Sequence, residues 1–136
     1  MSCELCLEDG GIILYQTSLL RIVLATDVPD YTGICRVIWN EHVQEMSDLD
    51  SVDQAYLLEW VMKVENAVRA VLQPDKINLA SLGNVVPHLH WHVIPRFKDD
   101  THFPAPIWGA PRRVAPSRPF AEDLASRLRA ALIAQH

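Results

Sequence analysis

Apolar and polar positions along the chain change period several times, and each change marks a predicted element. Residues 12–16 and 19–25 are short runs rich in β-branched side chains, parted by Thr17-Ser18, and predict a β-hairpin after the turn-prone Gly10-Gly11. The cluster Asp27-Val28-Pro29-Asp30-Tyr31-Thr32-Gly33 interrupts the chain before a third apolar run, residues 34–39, read as another strand. From Asp48 the period lengthens. Leu57, Val61, Val64, Val68 and Val71 recur at steps of four and three, with Glu59, Lys63, Glu65 and Arg69 between them. That spacing lays one apolar stripe along an amphipathic helix of about 20 residues. Asp50 or Ser51 can cap its start, and Pro74 ends it because proline has no N–H to continue the ladder.

Residues 77–82 predict a fourth strand closed by Gly83-Asn84, and residues 85–95 a fifth. Pro104, Pro106, Pro111, Pro116 and Pro119 exclude regular structure from most of residues 99–120, and a loop of that length usually serves a site or a partner surface. Residues 121–134 predict a C-terminal helix with Leu124, Leu128, Ala131 and Leu132 on one side. The order of elements predicts a single α+β domain over residues 1–136, an antiparallel sheet of about five strands packed with two helices.

Composition narrows the class. With 49% apolar and 21% charged residues the chain has an ordinary globular make-up, which argues against disorder. Twelve basic residues against 17 acidic ones give a formal charge of −5, which argues against a surface built for long nucleic acid but leaves room for a small anionic ligand. No stretch approaches the roughly 20 apolar residues of a membrane span. The acidic start differs from a secretory signal, and the expected location is cytoplasmic. Three cysteines, Cys3, Cys6 and Cys35, are an odd set for a disulfide scaffold, so Cys3 and Cys6 are read as thiols or metal ligands.

The chemistry concentrates in Pro87-His88-Leu89-His90-Trp91-His92-Val93-Ile94-Pro95-Arg96. On a strand, alternation points His88, His90 and His92 one way and Leu89, Trp91 and Val93 the other, so the first set is expected to form a site and the second to be core. A single histidine would be read as a surface residue. Three in alternation offer no packing advantage, and two chemistries suit them. They could hold a zinc ion that activates water, or one neutral imidazole could attack phosphorus while its neighbours bind phosphate oxygens.

The run His88-Leu89-His90-Trp91-His92-Val93-Ile94, with Gly83 and Val86 before it and Pro95-Arg96 after it, resembles the motif of the histidine triad (HIT) family, three histidines each followed by apolar residues. Asp27, Gly33, Val37-Ile38 and the His42-Val43-x-x-Met46-x-x-Leu49 run resemble the family's earlier strands and the entry to its main helix, so the likeness covers residues 3–97. It implies a homodimeric nucleotide hydrolase or transferase, acting on the α-phosphate of dinucleoside polyphosphates such as diadenosine polyphosphate, of nucleoside phosphoramidates or of adenylates. His90 would then attack phosphorus and form a nucleotidyl-imidazole that water hydrolyses. His88 and His92 would orient it and bind phosphate oxygens, and a histidine rather than a glutamine at position 92 marks the hydrolase branch. Asp27 corresponds to the acid that bonds the ribose hydroxyls, and Asn78 and Asn84 to an asparagine and a glutamine that contact phosphate.

The pattern departs at Asn84, whose amide arm is shorter than the family's glutamine, and at Val85, where many members carry a hydroxyl residue. Asn78 is also one residue nearer the triad than usual, and a turn-capping role suits it equally. The resemblance further implies a structural zinc on Cys3, Cys6, His42 and His88, with no metal required for catalysis; the bland alternative is an N-terminal segment with two idle thiols. His102, Trp108, Arg96, Arg112, Arg113 and Arg118 could bring a ring or a positive charge to a ligand, but such residues more often belong to a loop surface and are left out of the expected site. Two other functions stay open: a nucleotide-binding regulatory module with little turnover, and a three-histidine zinc hydrolase.

Overall fold

The β-branched runs pair into one antiparallel sheet. The computed structural model describes residues 3–118 and 122–135. Strands β1 (Ile12–Gln16), β2 (Leu20–Leu24), β3 (Cys35–Trp39), β4 (Lys76–Ala80) and β5 (His90–Arg96) lie in the order β1-β2-β3-β5-β4. The helices are α1 (Glu4–Leu7), α2 (Ser51–Leu72) and α3 (Leu124–Ile133). The expected α+β class therefore holds, with α1 added to the two helices read from the sequence. A helix of 22 residues is roughly 33 Å long. It carries the chain past β3 to the far edge, where β4 forms, and β5 fills the gap between them. The histidine strand is thus internal, bonded on both sides.

The Asp50 side chain accepts the Asp53 amide at 2.9 Å to cap α2, and Gln73, in the left-handed region at φ 49°, closes it before Pro74. Its stripe is Leu57, Trp60, Val61, Val64, Ala67 and Val68, packed with Leu124, Leu128 and Leu132 of α3 against Ile22, Val37 and Val93 of the sheet and Leu89 just before β5. Each such aliphatic side chain contributes about 1.5–3 kcal/mol by leaving water.

The other face of the sheet carries the site. It is covered at one end by Leu5 of α1, on Val23 and Ile38, and at the other by Ile107, on Ala25, Ile34 and Ile94. Between these two coverings the sheet is open. Register sets what lies there: His90 faces Ile38 across the β3–β5 pair, and His92 faces Arg36.

Two boundaries differ most from the expectation. Strand β5 begins at His90, not at residue 85, so the three histidines do not stand on one strand. Val85 is exposed, Gly83 has φ 77°, Pro87 has no amide to donate, and the His88 amide bonds back to the Val86 carbonyl at 2.8 Å, which makes this segment a turn. Helix α3 begins at Leu124; residue 121, where it was expected to start, is outside the described residues, as are residues 119 and 120 of the proline-rich loop. Among the described residues no helix is long and apolar enough to cross a membrane.

Candidate active site

His90 and His92 line a cavity of about 640 Å³ between the two coverings, a size that suits a small ligand. Their rings meet edge to face, with centroids 5.0 Å apart and planes at 73°. His90 Nδ1 lies 2.5 Å from the His88 carbonyl oxygen. A carbonyl can only accept, so Nδ1 holds the proton and Nε2 keeps its lone pair. Burial lowers the pKa of His90, and the nearby Arg36 adds to the effect. His92 is lowered to about 4 by burial and then by His90 and Arg36. Both rings are neutral near pH 7.

His88 is turned elsewhere. Only 1% exposed, it places Nε2 2.5 Å from the Trp39 carbonyl oxygen and Nδ1 among the side chains of Cys3, Cys6 and His42, and it does not line the cavity. Its ring is held away from the cavity, so the expected phosphate contact gives way to a different contribution: its backbone carbonyl orients His90. Three convergent imidazoles are absent among the described residues, so the geometry gives the three-histidine zinc hydrolase no support. His88 keeps the alternation, with Leu89 in the core on the opposite face, but α1 covers this end of the site face and the His88 ring packs beside Cys3 and Cys6 rather than in the cavity.

Cys3, Cys6, His42 and His88 have their ligand atoms within 4.8 Å of one another. The His42 Nδ1 to His88 Nδ1 distance is 3.2 Å, and sulfur-to-nitrogen distances are 3.4 Å and 3.5 Å. Zinc bonds of about 2.0–2.1 Å to nitrogen and 2.3 Å to sulfur, held tetrahedrally, require edges of roughly 3.3–3.8 Å. The donor set fits such an ion. The Trp39 carbonyl supports the fit, because it fixes the His88 proton on Nε2 and leaves Nδ1 free to ligate. Cys35 takes no part; it is fully buried, and burial pushes its thiol up to about 12.

Of the expected nucleotide contacts, Asp27 and Asn84 line the cavity, while Asn78 does not. The Asn78 Oδ1 instead accepts Arg96 Nη1 at 2.8 Å. Arg36, not anticipated, lies on the cavity floor, donating from Nη1 to the Gly10 carbonyl at 2.8 Å and from Nη2 to Asp27 Oδ1 at 2.9 Å. Its signal was a lone cation in the middle of an apolar strand. Trp108, set aside at first as loop surface, also lines the cavity, edge to face with His92 at 5.3 Å. Arg21 secures the opposite wall by donating to the carbonyls of Leu5, Glu8 and Asp9 beside α1. Main-chain acceptors of this kind leave no pattern in a sequence.

Comparison with known proteins gives the family. The HIT domain model matches residues 8–99, and the chain belongs to the HIT family. A curated relative, the AP-4-A phosphorylase of Mycobacterium tuberculosis, is 27% identical over 109 residues, covering 76% of this chain; the chain spans only 55% of that protein. A histidine triad protein from Bradyrhizobium japonicum superposes with TM-score 0.79 at 30% identity, covering 96% of this chain and 97% of that one. A Zn-bound histidine triad family protein from Mycobacterium smegmatis gives TM-score 0.70 at 26% identity over 99% of this chain and 96% of that one.

Proposed function

We propose that this protein is a nucleotide phosphohydrolase that cleaves at the α-phosphate of a dinucleoside polyphosphate or related adenosine nucleotide through a nucleotidyl-His90 intermediate. The observation that carries the reading is the orientation of His90, with Nδ1 donated to the His88 carbonyl and Nε2 free in the cavity. Nε2 attacks phosphorus, the bond from phosphorus to the bridging oxygen breaks, and for a dinucleoside polyphosphate the other half departs as a nucleoside polyphosphate. Water then attacks phosphorus, the Nε2–P bond breaks, and a nucleoside monophosphate and a proton are released. His92 binds phosphate oxygens, Asn84 contacts them from the turn, and Asp27 accepts from the ribose hydroxyls with the help of Arg36. If phosphate replaces water as the acceptor, the product is a nucleoside diphosphate, which is the outcome the name of the mycobacterial relative points to.

Cys3, Cys6, His42 and His88 would hold a structural zinc that fixes α1, and no catalytic metal is needed. Val52, Leu58 and Met62 on the outer side of α2 are exposed apolar residues, which suits a homodimer. The proposed setting is the cytoplasm.

The test is turnover of diadenosine tetraphosphate by wild type and by His90→Ala, with and without phosphate, together with mass spectrometry of quenched protein. Wild type is expected to carry a nucleotidyl adduct on His90, and the variant to lose at least about a thousand-fold in kcat. Loss of turnover on chelation with no adduct on His90 would replace the model with metal chemistry. Nucleotide binding without any turnover would leave a binding module.

A further inference from the structure

Trp108 is 51% exposed, whereas Trp39 and Trp60 are buried. Its neighbour Ile107 already supplies the apolar anchor of the loop, packing with Ala25, Ile34 and Ile94, so the fold does not need a second large side chain here. The indole meets His92 at a ring angle of 70°, and an edge-to-face contact covers at most one of its faces.

The loop that delivers it is firmly held. Arg96, 2% exposed, donates from Nη2 to the Ala105 carbonyl at 2.7 Å and pairs with Asp100, whose carboxylate takes the amides of His102 and Phe103. The Gly109 amide closes a turn onto the Pro106 carbonyl at 3.0 Å, with Trp108 inside that turn. A rigidly presented indole with an uncovered face, beside His92 and in a cavity that suits a small ligand, is a stacking platform.

Resting on the nucleotide reading above, we propose that Trp108 is a specificity-determining residue that stacks a heteroaromatic ring of the substrate next to the reacting phosphate. The ring belongs either to the nucleotidyl half or to the departing half, and the chemistry of recognition is the same. One base-aromatic stack changes affinity by roughly 5- to 150-fold, and the half-exposed position places the expected effect toward the lower end.

The experiment compares AMP with ribose 5-phosphate, which differ in the ring alone, by calorimetry on full-length wild type, Trp108→Ala and Trp108→Phe. Wild type should prefer AMP by about 5-fold or more; Trp108→Ala should erase most of that preference, and Trp108→Phe should retain it. A preference unaltered in Trp108→Ala with the KM for diadenosine tetraphosphate also unmoved, or a wild type that binds neither compound, overturns the proposal. KM values for diadenosine tetraphosphate and adenosine 5′-tetraphosphate then assign the half. A rise for both in Trp108→Ala places the ring on the nucleotidyl side, and a rise for the dinucleotide alone places it on the departing side. A fall in kcat for both with KM unmoved refutes stacking. Binding is read without turnover, so ring preference with no nucleotidyl-His90 would sink the hydrolase reading and leave this one standing.

Discussion

Asp100 provides a demanding test of how the loop is held over the site. Its carboxylate accepts from Arg96 Nε at 2.8 Å and Nη2 at 3.0 Å, from the amides of Phe97, His102 and Phe103, and from the Tyr31 hydroxyl at 3.2 Å. Arg96 and Asp100 are 2% and 3% exposed. Asp100→Asn keeps the shape but leaves Arg96 a buried cation without its counter-charge, and breaking such a pair costs about 3–5 kcal/mol. Unfolding entropy of about 2.1 cal/mol/K per residue, over 136 residues, makes 1 kcal/mol worth about 3–4 °C. A Tm drop of about 10–17 °C at pH 7 is therefore expected by scanning calorimetry. The drop should also depend on pH. Burial by itself would raise the Asp100 carboxyl, but Arg96 and the three amides overcome it and hold it well below the usual carboxylate range. Its folded pKa is below its unfolded value of about 3.9, so its contribution is complete well above that pH and is lost as pH falls beneath it. The gap between wild type and variant should shrink below about pH 4. A Tm difference under about 3 °C at pH 7, or one that is the same at pH 3 and pH 7, would refute the assignment.

Two further outcomes are expected. Chelation or Cys6→Ser should lower Tm in a zinc-dependent way and raise KM more than it lowers kcat, because the cluster holds α1, whose Leu5 walls the cavity; zinc content by elemental analysis and melting with added zinc check this, and a metal-free protein with unchanged Tm would refute it. Val85→Ser returns a hydroxyl to an exposed cavity position at little cost in stability, and should raise kcat on adenosine phosphoramidate about 10-fold or more if leaving-group contact limits turnover, measured by steady-state kinetics.

The alternation of the short apolar runs, the four-and-three spacing from Leu57 to Val68 and the cap at Asp50 made the strands and α2 legible, because these features follow from the local geometry of one segment. His90 and His92 were legible for the same reason. The place of His88 beside Cys3, Cys6 and His42 was legible only through the family resemblance, because those partners are distant in the chain. Asn78 likewise left the cavity for Arg96. Arg36 entered the site through cross-strand register with His92, and Trp108 through a loop fixed by buried charge. By itself the sequence determined the periodic elements, the family likeness and the pair of histidines. Only the tertiary structure decided which other side chains stand beside them, because those placements depend on long-range register and on main-chain acceptors that have no residue letter.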